Sequence, residues 1–214
     1  AMIMLTTLSA KLAIDVRLID KNAEDNPTGK LSAVAKTASD IYFETSGIKG
    51  TQLIFCDTGT PKSQNIVENL RNYIEDELNI SVDESELIFG EDRTKNIPLN
   101  DAKKKLAEVL EWETEYIDQV INESNEQEGK FNVYDDVKKK LIQNGVPPEQ
   151  IVFIHSYKTA KSKEDLFDAV NAGNIRIVLG STQKLGTGVN CQQRIVALHH
   201  IDAQWNPAAM EQRN

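Results

Sequence analysis

Apolar residues recur along this chain at two spacings, and segments of one spacing alternate with segments of the other. Four segments carry apolar residues every three or four positions, as an amphipathic helix does: 30–47, 63–78, 132–145 and 162–173. Four short apolar runs lie between or after them, each with the length of a buried strand: 52–56, 151–154, 175–179 and 195–199. This alternation predicts an α/β fold in which helices cover both faces of a mostly parallel sheet.

Two serines stand where the helices over residues 63–78 and 162–173 are expected to begin. A serine hydroxyl at a helix start accepts a hydrogen bond from a backbone N–H group that has no partner within the helix. We therefore predict that Ser63 and Ser162 are the N-caps of these two helices.

Between residues 81 and 130 the alternation stops, and a single helical pattern runs over residues 101–122. We therefore predict an acidic helical insertion over residues 81–130. The sequence DESE at residues 83–86 is similar to an acidic box that holds magnesium. Such a box must end a buried apolar strand, and residues 79–82 are not one, so we interpret these carboxylates as surface residues.

Residues 1–29 carry scattered apolar positions, followed by a polar, turn-prone run over residues 21–29. We interpret them as a lead-in from a preceding region. The main domain is then expected to span residues 30–214 and to include the insertion.

Charge is distributed unevenly along the 214 residues, whose net charge is -9. Residues 62–130 contain 8 basic and 18 acidic side chains, a net charge of -10, whereas the rest of the chain contains 16 basic and 15 acidic side chains, a net charge of +1. An acidic chain ordinarily repels the phosphates of a nucleic acid. Because the acidity belongs to one segment, the remaining strands and helices are compatible with a nucleic-acid partner.

The remaining composition is typical of a globular protein. With 214 residues, 40% of them hydrophobic, the chain can bury a core as one domain with an elaboration. Cys56 and Cys191 show no spacing typical of a zinc site or a disulfide framework. No apolar run approaches the roughly 20 residues that a membrane span needs, and residues 1–10 do not resemble a signal peptide. We therefore predict a cytoplasmic protein without a membrane partner.

The three histidines, His155, His199 and His200, stand at the ends of predicted strands. Structural histidines that bond within the protein are commoner at such places than metal ligands. We therefore assign no metal to the chain.

A glycine-rich turn separates the last two predicted strands, over residues 180–190. Gly186 and Gly188 permit positive φ and bring backbone N–H groups close to a phosphate or a ribose, while Ser181 and Thr182 add hydroxyl groups. Taken alone, such a turn serves equally well as a tight connection or as a ligand cradle.

The segment after this turn carries two further motifs: DAQWNP at residues 202–207 and then Gln212. Together the three motifs resemble the second lobe of superfamily 2 helicases, closest to the Swi/Snf-type DNA translocases. That family carries Ser-Thr-x-x-Gly-Gly-x-Gly-x-Asn, then Asp-x-x-Trp-Asn-Pro, then Gln-x-x-x-Arg-x-x-Arg. The matching positions here are Ser181, Thr182, Gly186, Gly188, Asn190, Asp202, Trp205, Asn206, Pro207 and Gln212.

This resemblance implies a RecA-like three-layer domain that forms the C-terminal lobe of an ATP-dependent DNA helicase or translocase. The matched residues, Pro207 apart, are then expected to couple nucleotide binding to DNA binding. Lys163, Lys184 and Arg194 become candidate contacts to the DNA backbone. ATP and magnesium are expected in the parent protein, with DNA and the N-terminal RecA-like lobe as partners.

The two arginines of the last motif would fall after Asn214, and the sequence contains no Gly-x-x-x-x-Gly-Lys-[Ser/Thr]. In the family those arginines reach the ATP phosphates, and the glycine-lysine motif belongs to the first lobe. We therefore expect the chain to be truncated inside the last helicase motif and to be catalytically inert by itself.

Three positions depart from the family pattern. Leu185 stands in place of the first of two glycines, Ser156 in place of a glycine after His155, and Lys163 in place of an arginine. A lysine keeps the positive charge but lacks the fork of donors that allows bidentate bonds.

More narrowly, residues 180–213 resemble the helicase part of helicase and adenine-methyltransferase fusion proteins of phages, plasmids and conjugative elements. Two other functions stay open. A degenerate RecA-like lobe would serve as a scaffold or interaction module, with a protein partner at the acidic insertion. A nucleotide-dependent enzyme of the Rossmann kind would use residues 186–190 as its phosphate turn.

Overall fold

The computed structural model describes residues 2–20, 22–61, 65–93, 95, 97–125, 131–185 and 192–202. In the described structure the chain forms two compact units: unit 1 contains Ala1–Gly59 and Phe131–Asn214, and unit 2 contains Thr60–Lys130. Unit 2 is thus inserted in the sequence of unit 1, because the chain leaves unit 1 after Gly59 and returns to it at Phe131. Within the described ranges, no helix is both long enough and apolar enough to cross a lipid bilayer.

Unit 1 is built around a parallel sheet. Its described residues form four strands: β1 (Thr51–Phe55), β2 (Ile151–Phe153), β3 (Ile177–Gly180) and β4 (Ile195–His200). The strands lie in the order β2-β3-β1-β4, and every neighbouring pair is parallel. The predicted strands are confirmed, and the described sheet is entirely rather than mostly parallel.

Helices cover both faces of this sheet. Ile54 of β1 lies in one apolar cluster with α2 (Lys30–Glu44) and α7 (Val133–Gln143). Its neighbour Leu53 lies in another cluster with α8 (Ala160–Asn171). Successive side chains of a strand point to opposite faces, and every residue of β1 is buried, so the strand is covered on both sides. The result is the predicted α/β arrangement of three layers.

The end of α1 (Met2–Ile14) and the segment that follows it belong to unit 1. Ile14 is buried in the cluster that contains α2 and α7. Arg17 forms ion pairs with Asp25 at 2.7 Å and with Asp136 of α7 at 3.1 Å. These contacts attach the predicted lead-in to α7.

The prediction that Ser162 caps α8 is wrong by three residues. The helix begins after Thr159, whose hydroxyl accepts the N–H of Ser162 at 3.0 Å. The Ser162 hydroxyl in turn accepts the N–H of Thr159 at 3.1 Å. Such a capping box places a suitable side chain at both ends of the first turn, and the sequence alone does not tell which of the two is the cap.

The prediction that Ser63 caps the second helix is also wrong. That helix, α3 (Ile66–Asp76), begins after Asn65, whose side chain accepts the N–H groups of Val67 and Glu68. Asparagine caps as well as serine does, and the residue nearer to the apolar stripe provides the cap. Ser63 itself lies outside the described residues.

All the regular secondary structure in the described part of unit 2 is helical. Its four helices there are α3, α4 (Val82–Phe89), α5 (Leu99–Val109) and α6 (Thr114–Asn125). All four bury apolar side chains in one cluster. Because α3 shares this cluster, unit 2 begins at Thr60, earlier than residue 81, where the insertion was predicted to begin.

The single helix predicted over residues 101–122 is in fact two helices, α5 and α6. The chain turns between them at Glu111, which has a left-handed φ of 53°. Leu106 and Ile117 lie in the same cluster on either side of this turn. Their separation in sequence is close to three helical turns, roughly 3.6 residues each. The apolar stripe therefore continues in register across the break, which the sequence pattern does not reveal.

Residues 83–86, which are similar to a magnesium-binding box, lie on α4 and not at the end of a strand. Ser81 caps this helix, and its side chain and that of Glu84 form a reciprocal capping box. Asp83 and Glu84 are exposed and Glu86 is half-buried. The structure thus agrees with the interpretation of these carboxylates as surface residues.

Candidate functional site

The carboxyl ends of the four described strands meet at one edge of the sheet, because the strands are parallel. Polar residues follow each strand closely: Asp57 after β1, His155 after β2, Ser181 after β3 and Asp202 after β4. Open parallel sheets bind ligands outside this edge. The edge is therefore the candidate functional site of unit 1.

Asp202 holds the backbone that leaves β1. Its Oδ2 atom accepts hydrogen bonds from the N–H groups of Asp57 and Thr58 at 2.6 and 3.0 Å. Immediately before it, the N–H of Ile201 donates to the carbonyl oxygen of Phe55 at 2.9 Å. A carboxylate that accepts two N–H groups forms short, charge-assisted bonds, which fix the turn after β1.

Asp57 in turn binds Thr182, near the start of the glycine-rich turn. Its Oδ1 atom accepts the backbone N–H of Thr182 at 2.6 Å, and its Oδ2 atom accepts the Thr182 hydroxyl at 2.8 Å. Asp57 is 6% exposed and Thr182 is 4% exposed. The Thr182 hydroxyl, expected from the sequence to serve a ligand, therefore donates a hydrogen bond to Asp57. We refer to Asp57, Thr58, Thr182 and Asp202 as the carboxylate latch.

Ser181 has different surroundings from Thr182. Its side chain is fully buried, and its hydroxyl has no hydrogen-bond partner among the described residues. Buried polar groups in this condition are rare in folded proteins. The hydroxyl of Ser181 thus retains hydrogen-bonding capacity at the candidate site.

Gly180, the last residue of β3, has no room for a side chain. A Cβ atom at this position would lie 2.5 Å from Cγ2 of Ile154 and 2.5 Å from Cγ of Leu185. Leu185 is 3% exposed and belongs to the cluster on the α8 face of the sheet. The leucine that departs from the family pattern therefore fills the core beside Gly180.

Lys163 and Lys184 lie on the carboxyl side of the sheet, and both are half-buried. Lys184 is part of the short helix α9 (Thr182–Leu185), which follows β3 directly. Lys163 is in the first turn of α8, and the start of this helix lies on the same side because the helix follows β2. Lysine side chains and the N–H groups at a helix start both attract phosphate. The structure therefore places these two candidates on the side of the sheet that carries the latch.

Arg194 lies at the opposite edge of the sheet, since it directly precedes β4. Its Nε and Nη1 atoms donate to the carbonyl oxygens of Asn171 and Ile48, each at 2.6 Å. Asn171 is the last residue of α8, so the guanidinium closes the end of that helix. The structure does not bring Arg194 together with the other candidates.

Gln52 of β1 orients His199 on the neighbouring strand β4. Its side-chain oxygen lies 2.8 Å from Nε2 of His199, while its amide nitrogen donates to the carbonyl oxygen of Ala38 at 2.8 Å. Burial, and secondarily the neighbouring His200, lowers the pKa of His199 below its ordinary value of 6.5. The imidazole is therefore neutral near pH 7 and donates Nε2–H to Gln52, as a structural histidine does.

Six of the predicted site residues lie outside the described part of the chain: Gly186, Gly188, Asn190, Trp205, Asn206 and Gln212. Their roles remain predictions. Conversely, sequence reasoning missed Asp57, although a carboxylate at the end of an apolar run in an α/β fold is a signal for a site residue. Its bonds to Thr182, which is 125 residues away in sequence, could not be predicted.

The sequence profile of one protein family, described as the helicase conserved C-terminal domain, matches residues 101–214, which is more than half of the chain. This range includes Thr182 and Asp202, whereas β1 and Asp57 precede it. No curated protein and no solved structure matches the chain. The chain belongs to the family of helicase C-terminal domains, and its RecA-like α/β fold is that of the C-terminal lobe of a superfamily 2 helicase.

Proposed function

We propose that this chain is the C-terminal lobe of an ATP-dependent DNA translocase or helicase of the Swi/Snf type. The carboxyl edge of its sheet forms one wall of an ATP cleft, and the N-terminal lobe of the same polypeptide forms the other. ATP and Mg²⁺ are held in the cleft of the parent protein, and this chain alone holds neither. The parent hydrolyses ATP, whereas the chain by itself is inert.

The carboxylate latch is the observation that carries this proposal. Its four hydrogen bonds, between 2.6 and 3.0 Å, join the ends of β1, β3 and β4. Thr182 belongs to the glycine-rich turn over residues 180–190, and the Trp-Asn-Pro segment begins three residues after Asp202. A site that couples nucleotide to DNA needs its loops fixed to rigid strands. The latch fixes Thr182, near the start of one of these loops in sequence, and Asp202, which precedes the other.

The DNA contacts in this proposal are to phosphates. Lys163 and Lys184, on the latch side of the sheet, are the candidate contacts, while the guanidinium of Arg194 already binds two carbonyl oxygens at the opposite edge. Lysine contacts to phosphate carry no sequence information. We therefore expect DNA binding that is independent of base sequence and weakens steeply with added salt.

The resemblance of residues 180–213 to helicase and adenine-methyltransferase fusion proteins supports a narrower proposal. The parent protein would act on the DNA of phages, plasmids or conjugative elements. Its role there would be in restriction, in protection from restriction, or in DNA transfer.

A measurement of ATP hydrolysis tests whether both lobes are needed for activity. The purified 214-residue chain is mixed with ATP and Mg²⁺, with and without duplex DNA, and phosphate release is measured. We expect no DNA-stimulated hydrolysis from this chain, and DNA-stimulated hydrolysis from a polypeptide that carries both lobes. Hydrolysis by the chain alone would contradict the proposal. In the two-lobe polypeptide, Ser181→Ala is expected to lower hydrolysis, whereas Thr37→Ala, at an exposed position of α2, serves as the matched control.

Unit 2 favours a second candidate function, an interaction module on a degenerate lobe. The unit is compact by itself, and its 8 basic and 18 acidic residues suit a basic protein partner. The coding sequence on either side of the chain discriminates the two candidates. A glycine-lysine phosphate loop upstream and two arginines just after Asn214 support the motor, and the absence of both supports the scaffold.

A further inference from the structure

We infer that Asp57 and Asp202 are positioning residues that couple the turn after β3 to the turn after β4. A displacement of either turn is transmitted to the other through the carboxylate latch. The use of this coupling by a motor rests on the proposed function. The coupling itself can be measured in the latch whether or not that function is correct.

The order of the strands makes an intermediary necessary. β3 and β4 are not neighbours in the sheet, because β1 lies between them. Backbone bonds therefore join each of them to β1 and not to each other. At the carboxyl edge the last such bonds run from the N–H of Cys56 to the carbonyl oxygen of Gly180, at 3.0 Å, and from the N–H of Ile201 to the carbonyl oxygen of Phe55, at 2.9 Å. Past these bonds, the side chains of the latch connect the three strands across the edge.

The latch bonds form a series. Asp202, at the end of β4, holds the N–H groups of Asp57 and Thr58. The side chain of Asp57 then holds both the N–H and the hydroxyl of Thr182, after β3. If the bonds from Asp202 break, the backbone of Asp57 becomes free to move. The bonds from the Asp57 side chain to Thr182 are then weakened as well. Because coupling between two sites is reciprocal, release of Thr182 must also weaken the bonds to Asp202.

Residues around the latch restrict the movement of the backbone after β1 to a short segment. Tyr134 of α7 donates its hydroxyl to the carbonyl oxygen of Cys56, directly before Asp57. The Cys56 thiol also donates to the carbonyl oxygen of Thr58, at 3.1 Å. The bond from Tyr134 thus holds the backbone before Asp57, and the thiol bond limits how far Thr58 can move, so the coupling acts on a short segment.

The two carboxylates are expected to differ in what can replace them. The bonds from Asp57 and Thr58 to Asp202 end on one oxygen, Oδ2, so the single amide oxygen of an asparagine can accept both of them. Asp57 uses its two oxygens for two donors of Thr182, and an asparagine would present an NH₂ group in place of one of them. Asp202→Asn should therefore preserve the latch, whereas Asp57→Asn should weaken it.

Hydrogen exchange of single backbone amides, read by NMR on the 214-residue chain, tests the inference. Asp202→Ala is expected to speed exchange at Asp57 and Thr58 directly, and at Thr182 through the relay, by at least about tenfold. The amide of Leu53, in the middle of β1, is the internal reference and should change by less than about twofold.

Two control variants and one further substitution make the expected pattern more specific. Asp202→Asn should restore the exchange rate at Thr182 to about that of the unmodified chain. Asp165→Ala removes an exposed carboxylate of α8 and should leave the same amide unchanged. Asp57→Asn should speed exchange at Thr182 although it alters no atom of Asp202.

Several outcomes would overturn the inference. If Asp202→Ala speeds exchange at Asp57 and Thr58 but not at Thr182, the bonds are independent and there is no relay. If Leu53 speeds up as much as Thr182, Asp202 has only a general stabilising role. If Asp202→Ala does not fold, Thr182→Val and Thr182→Ser test the reverse direction: the valine, which lacks the hydroxyl, should speed exchange at Thr58, and the serine should not. An unchanged Thr58 in the valine variant overturns the relay.

This experiment contains no nucleotide and no DNA. Loss of the relay would therefore leave the proposed ATPase role standing. Conversely, a parent protein without ATPase activity would leave the measured relay intact.

Discussion

The guanidinium carbon of Arg176 lies 3.9 Å from the ring centre of Tyr42, and the same guanidinium donates to the Tyr42 carbonyl oxygen at 2.6 Å. Arg176 directly precedes β3 and is 4% exposed. It also donates to the carbonyl oxygen of Gly50 at 3.0 Å, so it ties the end of α2 to the start of β1. Together with Arg194, it shows that arginines at the amino edge of the sheet close helix ends, whereas the latch lies at the carboxyl edge.

Arg176→Met is expected to lower the free energy of unfolding of unit 1 by about 3 kcal/mol. Methionine fills much of the same volume but removes the guanidinium donors to the carbonyl oxygens of Gly50 and Tyr42, and the Tyr42 oxygen keeps the hydroxyl of Ser46 as a donor. Urea denaturation followed by circular dichroism measures the change. The matched control is Lys161→Met, at an exposed position of α8, which should shift the free energy by less than about 0.5 kcal/mol. A loss below about 1 kcal/mol for Arg176→Met would mean that the carbonyl oxygens find other donors.

Unit 2 contains a buried carboxylate that holds two arginines. Glu75 is 1% exposed, and its Oε1 atom accepts a bond from Nε of Arg71 at 3.0 Å. Arg93 donates to both carboxylate oxygens of Glu75, each at 2.9 Å. Burial, and then repulsion from Arg93, lowers the pKa of Arg71, whereas the hydrogen bond to Glu75 raises it.

Glu75→Gln is expected to destabilise unit 2 by about 3 kcal/mol, because two partly or fully buried guanidinium groups lose their counter-charge. Trp112 packs against the core of unit 2, so its fluorescence in a Trp205→Phe background reports unfolding of this unit. Glu108→Gln is the control, since Glu108 is exposed and its side chain only approaches Lys104 at 3.8 Å. We expect a change below about 0.5 kcal/mol there. Equal effects of the two substitutions would show that the buried cluster contributes nothing specific.

Gly180→Ala is expected to destabilise unit 1 by about 1–3 kcal/mol, the usual cost of overpacking a core. The new Cβ atom would lie 2.5 Å from atoms of Ile154 and Leu185, both of which are buried. Gly47→Ala is the matched control, because a Cβ atom there would meet nothing within 4 Å. Thermal unfolding of the two variants measures the difference. Similar melting temperatures would show that the β3 end can relax around a methyl group.

The strands and the layer order of unit 1 could be predicted because buried strands are short, apolar and spaced by helices. The turn between α5 and α6 could not, because the apolar stripe continues in register from Leu106 to Ile117 across it. The burial of Arg176 was also hidden, since a charge next to an apolar run gives no sign that backbone carbonyls will surround it. Sequence periodicity indicates which face of a helix or strand a residue lies on. The turn between α5 and α6 and the burial of Arg176 depend instead on which other elements pack against that face.

The candidate site likewise contains residues that the sequence could predict and residues that it could not. Ser181, Thr182 and Asp202 could be named from the motifs, because motifs record residues that lie near each other in sequence. Asp57 was missed because its partner Thr182 is brought to it only by the pairing of β1 with β3. For the same reason Arg194, which is near these motifs in sequence, belongs to the other edge of the sheet.

The stability of unit 1 is expected to depend on pH through His199. Burial, and secondarily His200, lowers the pKa of His199 in the folded chain below 6.5, so the unfolded chain takes up its proton first as the pH falls. The contribution of His199 to stability is thus fully present above the unfolded pKa and is lost as the pH falls through the lower folded pKa. Carboxylates titrate mainly below about pH 5, which leaves a window between about pH 6.5 and 5.

His199→Gln isolates this contribution, because glutamine keeps an N–H donor for Gln52 but does not titrate. Urea unfolding of both chains is measured at several values from about pH 7.5 to 5, above and below the ordinary histidine pKa. The unmodified chain should lose more stability than the variant across this range, so the difference between the two should shift in favour of the variant as the pH falls. Parallel curves would mean that His199 binds its proton equally well in the folded and unfolded chains, and that burial beside Gln52 does not control it.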